Sequence, residues 1–111
     1  MIKNLTNREE LALRDFLARV AQRFGANYLY SLMFGSKARG DAHAGSDLDV
    51  AVILQNVDFE SKRAIYAIAY DELLENEVDI SPVVFSQDVF EHQKAARFPL
   101  LREIERDMVP L

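Results

Sequence analysis

Asp47 and Asp49 stand two residues apart at the head of an apolar run that reads as a strand over 47–54. Side chains alternate along a strand, so both carboxylates are expected on one face, with Leu48, Val50 and Val52 entering the core from the other. Neighbouring carboxylates repel each other, and a divalent cation with oxygen ligands is the natural occupant between them. Asp is also favoured at turns and caps, so the pair alone leaves both readings open. A third carboxylate tips the balance. Asp79 sits between Val78 and Ile80 in another apolar run, where an unpaired charge is costly and needs either a cation or an arginine at the core edge. Gly35-Ser36 follows the run that ends at Phe34. Glycine there lets backbone approach a phosphate closely, and the Ser36 hydroxyl can donate to a phosphate oxygen. Arg39 suits phosphate oxygens through its two-pronged guanidinium. Lys37 reads as a solvated loop charge and His43 as an exposed loop residue.

The elements that must position these groups follow from patterning. Thr6-Asn7-Arg8-Glu9 has the spacing of a capping box. Leu13, Phe16, Leu17, Val20 and Phe24 then recur at helical spacing, so a helix over 7–24 is expected to end at Gly25. Tyr28 to Phe34 is apolar at both parities, as in a strand covered on both faces. Asp58 can cap a helix over 59–75 whose stripe includes Ile65, Ile68, Ala69 and Leu73, with Tyr66 and Tyr70 packed on the sheet. Val78 to Val84 reads as a third strand, with Pro82 at an edge, a bulge or the strand's end. Ser86 is placed to cap a further helix, and Pro99 to open another through Glu105.

The loop between Phe34 and Asp47 is about the minimum for a parallel crossover and carries no helix pattern, so the first two strands should be antiparallel. The helix over 59–75 can carry the chain back across the sheet, making the second and third strands parallel. The expected fold is a single α/β (α+β) domain over 1–111, a mixed sheet flanked by helices. Asp47, Asp49, Asp79 and the Gly35-Ser36 turn then meet at one edge.

Composition removes several functions. The chain has no cysteine, which excludes disulfides, zinc–thiolate sites and thiol catalysis and fits a reducing cytoplasm. No apolar run approaches the ~20 residues of a membrane span, and the first residues lack a signal-peptide core. A formal charge of −5 argues against general nucleic-acid binding. Gly35 and Gly40 have the spacing that opens a P-loop, but Asp41-Ala42 stands where Lys-Ser/Thr is required.

Phe34-Gly35-Ser36, ten residues, then Asp47-Leu48-Asp49-Val50 resembles the motif of the DNA polymerase β nucleotidyltransferase superfamily, with Asp79 as its third carboxylate. Gly-Ser-Lys-Ala-Arg-Gly followed by Ser-Asp-Leu-Asp is similar to the minimal nucleotidyltransferases (MNT) that act as antitoxins beside HEPN toxins. The resemblance implies that Gly35 and Ser36 hold the terminal phosphates of ATP, beside which guanidinium chemistry adds Arg39. It also implies that Asp47 and Asp49 bind Mg²⁺, as two ions that Mn²⁺ can replace. Asp79 would complete the metal site near the attacking hydroxyl. Larger relatives carry an appended acceptor domain, which is not expected here. The implied partner is a HEPN-type ribonuclease toxin, silenced by transfer of AMP to a tyrosine. A non-catalytic antitoxin that neutralises by binding, a transferase for an aminoglycoside-like small molecule, and a purely structural domain remain as alternatives.

Overall fold

The computed structural model describes residues 2–42 and 46–111; His43 lies outside them. Helix α1 (Asn7–Phe24) begins where the capping box requires. The Thr6 hydroxyl accepts from the Glu9 N–H at 3.1 Å, and the Glu9 carboxylate accepts from the Thr6 N–H at 2.9 Å. A 3₁₀ turn (Gly25–Asn27) leads into β1 (Tyr28–Phe34). A five-residue helix, α2 (Gly35–Arg39), follows at once where a plain loop was expected. It is too short to show a helical repeat, which is why periodicity passes over it. Strand β2 (Leu48–Leu54) starts one residue late and leaves Asp47 outside. Helix α3 (Phe59–Asn76) is capped by Asp58, whose carboxylate accepts from the Ser61 N–H at 2.7 Å.

Strand β3 (Ile80–Ser86) is displaced two residues from the expected 78–84. Asp79 therefore precedes the strand and is exposed, so the cost of a charge inside a strand does not arise. Ser86 caps α4 (Gln87–Ala95), and Pro99 opens α5 (Pro99–Asp107) as its fixed φ favours. A two-residue strand β4 (Val109–Pro110), again too short to foresee, pairs with β1.

The sheet order is β3-β2-β1-β4, with β1 antiparallel to β2 and β2 parallel to β3, as expected. Pro82 lies on the edge strand β3, where its missing N–H costs no central ladder bond. Leu48, Val50, Val52 and Leu54 of β2 pack with Met33 against Leu13, Phe16 and Val20 of α1 and Ile65 and Ala69 of α3. The opposite parity, Ala51 and Ile53, packs with Phe34, Phe85, Phe90, Leu101 and Ile104 under α4 and α5. Three expected core residues of α3 are corrected. Tyr66 and Tyr70 face solvent, and Leu73 is exposed too. The helix is apolar on both faces, so its pattern does not say which face meets the sheet.

One charge goes inside instead. Glu72 of α3 is fully buried. Its Oε1 accepts from Asn76 Nδ2 at 2.7 Å and its Oε2 lies 3.7 Å from Arg19 of α1. Burial, together with the neighbouring Asp15 carboxylate, pushes Glu72 up to about 7, against Asn76 and Arg19. An acid whose folded pKa is raised binds more protons folded than unfolded, so stability falls as pH rises from its ordinary range through the folded value. Urea midpoints should therefore decline between the ordinary Glu pKa of 4.5 and about 7. Glu72→Gln should flatten that decline, and an unchanged slope in the variant would show that Glu72 is not its source.

Candidate functional site

The register of β2 builds the site. On one side Asp49 pairs with Phe34, the last residue of β1, so the chain turns at Gly35 directly beside the Asp49 side chain. On the other, the Leu48 N–H donates to the Asp79 carbonyl at 2.9 Å and the parallel ladder continues from Leu48 opposite Ile80. Asp47 and Asp79 thus precede neighbouring strands at adjacent positions. Asp49 is half-buried while Asp47 and Asp79 are exposed. Gly35 has φ +78°, and a Cβ there would collide with Asp49 Oδ2. Only glycine admits the turn and the carboxylate together.

The carboxylates sense one another. Partial burial raises the Asp49 pKa, and the charges of Asp47, Glu103 and Asp79 add to the rise while Arg39 opposes it. Asp79 is raised by loss of hydration and by its charge contact and hydrogen bond with Asp47. Glu103 went unnoticed in the sequence. It lies between Leu101 and Ile104, the buried residues of α5, and only the packing of that helix beside the site reveals its role. Among the described residues, no three His, Cys, Asp or Glu side chains are arranged to close on a metal ion. An open set of hard oxygen donors with excess negative charge nevertheless suits Mg²⁺, which takes one or two carboxylates and fills its remaining positions with water and substrate phosphates.

The cations behave differently from expectation. Lys37 is not solvated. Its side chain is 12% exposed and its Nζ donates to Glu9 Oε2 at 2.6 Å, clamping α2 to the first turn of α1. Glu9 resists its burial and is held below the usual carboxylate range by Lys37 and the Thr6 N–H. Arg39 donates to Asp107 at 2.7 Å and to Asp41 at 3.1 Å. Asp107, 2% exposed, also accepts from Arg106 at 2.8 Å and 3.0 Å. Arg39 thus lies near enough to influence Asp49 but is tied to the end of α5. Ser36 is half-buried in the first turn of α2, and its carbonyl accepts from the Gly40 N–H at 2.9 Å. Two hollows open on Asp79. One of about 220 Å³ reaches Thr6, Ser46 and Leu48, and one of about 290 Å³ runs between α3 and β3 past Tyr66, Tyr70 and Ser81.

Gly35→Ala should lower stability by about 1–3 kcal/mol through strain at positive φ alone, with displacement of Asp49 in addition. Asp49→Asn, which removes one charge from the repelling set, should raise the urea midpoint above pH 7 without divalent cations. A lower midpoint for Asp49→Asn would mean that its carboxylate is satisfied inside the fold.

Residues 21–103 match the family model described as Polymerase beta, Nucleotidyltransferase. Two relatives from Methanocaldococcus jannaschii are each provisionally named a protein adenylyltransferase. The first is 31% identical over 75 residues, covering 65% of this chain and 51% of its own length. The second is 30% identical over 82 residues, covering 74% of this chain and 78% of its own. The match thus spans about half of the first relative. Among solved structures, a toxin-antitoxin with AMP-PNP superposes with a TM-score of 0.60 at 15% identity, over 95% of this chain and 72% of that one. At that identity the likeness is one of fold.

Proposed function

The chain belongs to the polymerase beta nucleotidyltransferase family, and on that premise we propose that it transfers AMP from ATP to a hydroxyl of a protein acceptor, a tyrosine of a HEPN-type toxin, as its antitoxin. The reading rests above all on the turn at Gly35 seated against Asp49, with Asp47 and Asp79 across the ladder. The names of the two relatives and the fold shared with a toxin-antitoxin favour a protein acceptor.

In this reading the backbone at Gly35 and the Ser36 hydroxyl receive the outer phosphates. Asp47 and Asp49 hold Mg²⁺ against the triphosphate, which supplies charge neutralisation at the α-phosphate and at the departing pyrophosphate. Asp79 stands on the acceptor side, where the hollows open. The acceptor hydroxyl gives up its proton to solvent as its oxygen attacks the α-phosphorus, the bond from that phosphorus to the bridging oxygen breaks, and pyrophosphate leaves. The chain's contribution is mainly positioning and preorganised charge. Arg39 reaches a phosphate only by leaving Asp107 or Asp41. That engagement favours a second reading, a neutraliser that only binds.

Mass spectrometry of a HEPN acceptor after incubation with ATP and Mg²⁺ separates the two. The unmodified chain should add AMP units to the acceptor, and Asp79→Asn should slow the addition by ~100-fold or more, as loss of a metal-site group does. Neutralisation with no mass gain, undisturbed by Asp79→Asn, contradicts the transferase and leaves the binding-only antitoxin.

A further inference from the structure

Arg39 is held by two carboxylates of opposite character. Its Nη1 donates at 2.7 Å to Asp107, whose side chain is 2% exposed. Its Nε donates at 3.1 Å to Asp41, whose side chain is 63% exposed. An exposed ion pair contributes little, because water competes for both partners. Stripping a buried carboxylate of a partner is far more costly. Of the two contacts, the one to Asp41 is the one that an incoming anion replaces more readily.

Local structure returns Asp41 to the helix that Gly35 and Ser36 open. Gly40 has φ +86° and reverses the chain at the end of α2. The Asp41 N–H then donates to the Ser36 carbonyl at 3.2 Å, so Asp41 is folded back over the same single turn. Charge points the same way. Asp107 also accepts from Arg106, at 2.8 Å and 3.0 Å. One buried carboxylate is thus shared by two guanidiniums, and the exposed Asp41 cancels the positive charge left over.

Resting on the transferase reading above, we infer that Asp41 occupies the place on Arg39 that a nucleotide phosphate takes. Asp107 is the positioning residue that keeps Arg39 beside the Gly35-Ser36 turn during the exchange. When Mg-ATP binds, the Asp41 carboxylate gives way to water and the Nε edge of Arg39 turns to a phosphate oxygen, with Nη1 still on Asp107. A planar guanidinium meets carboxylate and phosphate oxygens with the same geometry, and the phosphate carries the greater charge. Arg106 keeps Asp107 from spending its whole charge on Arg39. Asp41 is therefore an internal competitor, which lowers affinity for nucleotide and keeps the cluster neutral in its absence.

Calorimetric titration of the chain with ATP and Mg²⁺ at low salt tests this without any acceptor. Asp41→Asn should tighten binding about three- to tenfold, as release of a directly coupled group does, and the gain should shrink as salt rises. In an Arg39→Ala background the same substitution should change binding roughly twofold or less, because the coupling is gone. Asp107→Asn should weaken binding about tenfold, the loss of a charged hydrogen bond, and should add almost nothing to Arg39→Ala. That dependence separates a positioning residue from a merely structural one. Thermal midpoints report whether Asp107→Asn folds, and the Asp41 arm stands without it. No gain from Asp41→Asn, or an equal gain with and without Arg39, overturns the proposal and leaves the transferase reading in place. Failure of the unmodified chain to bind Mg-ATP at all overturns both.

Discussion

Everything at the site depends on the register of β2. The strand is held from both sides, by the antiparallel pairing of Asp49 with Phe34 and by the parallel bond from Leu48 to the Asp79 carbonyl. A slip of one residue would turn Asp49 into the core under α1 and α3 and expel Leu48, Val50, Val52 and Leu54. Those four side chains are almost completely buried, and each contributes on the order of 1.5–3 kcal/mol by leaving water. Their sum exceeds the repulsion among Asp47, Asp49 and Asp79, all of which keep contact with solvent. Hydrophobic packing therefore holds mutually repelling carboxylates together, and the protein keeps an electrostatic tension that the proposed Mg²⁺ would relieve.

The cations nearest the site are engaged in holding α2. Lys37 ties it to α1 through Glu9, and Arg39 ties it to α5 through the buried Asp107. This fixes Gly35 and Ser36 at the end of β1, but it leaves the corner negative, with Glu103 adding to the field at Asp49. A triphosphate brought there without a cation would meet net repulsion. On the proposed reading, nucleotide and divalent metal would therefore bind together.

Much of this was legible in the sequence. The helix caps at Thr6, Asp58 and Ser86, the parity of β2, the two strand directions and the approach of Gly35 to Asp49 all follow from local chemistry, and the structure agrees. What failed was of two kinds. Helix α2 and strand β4 are shorter than any period that could announce them. The rest depended on packing between distant segments. Tyr66 and Tyr70 have the spacing of a core stripe, yet the competing stripe through Ile65 and Ala69 took the sheet. Glu72 drew no notice in the sequence, because its burial depends on the packing of α1 against α3. Glu103 and Asp107 acquire meaning only because α5 lies against α2. Asp79 was singled out for a burial that it does not have.

The direct test of the central claim is the thermal midpoint of the chain with ATP alone, Mg²⁺ alone and both together. A ligand at a hundredfold excess over its dissociation constant adds about 2.7 kcal/mol to stability, which raises the midpoint by several degrees in a domain of this size. That rise is expected with both ligands present, nearly absent with ATP alone, and lost in Asp49→Asn. Coincident midpoints with and without Mg-ATP in the unmodified protein would contradict the account.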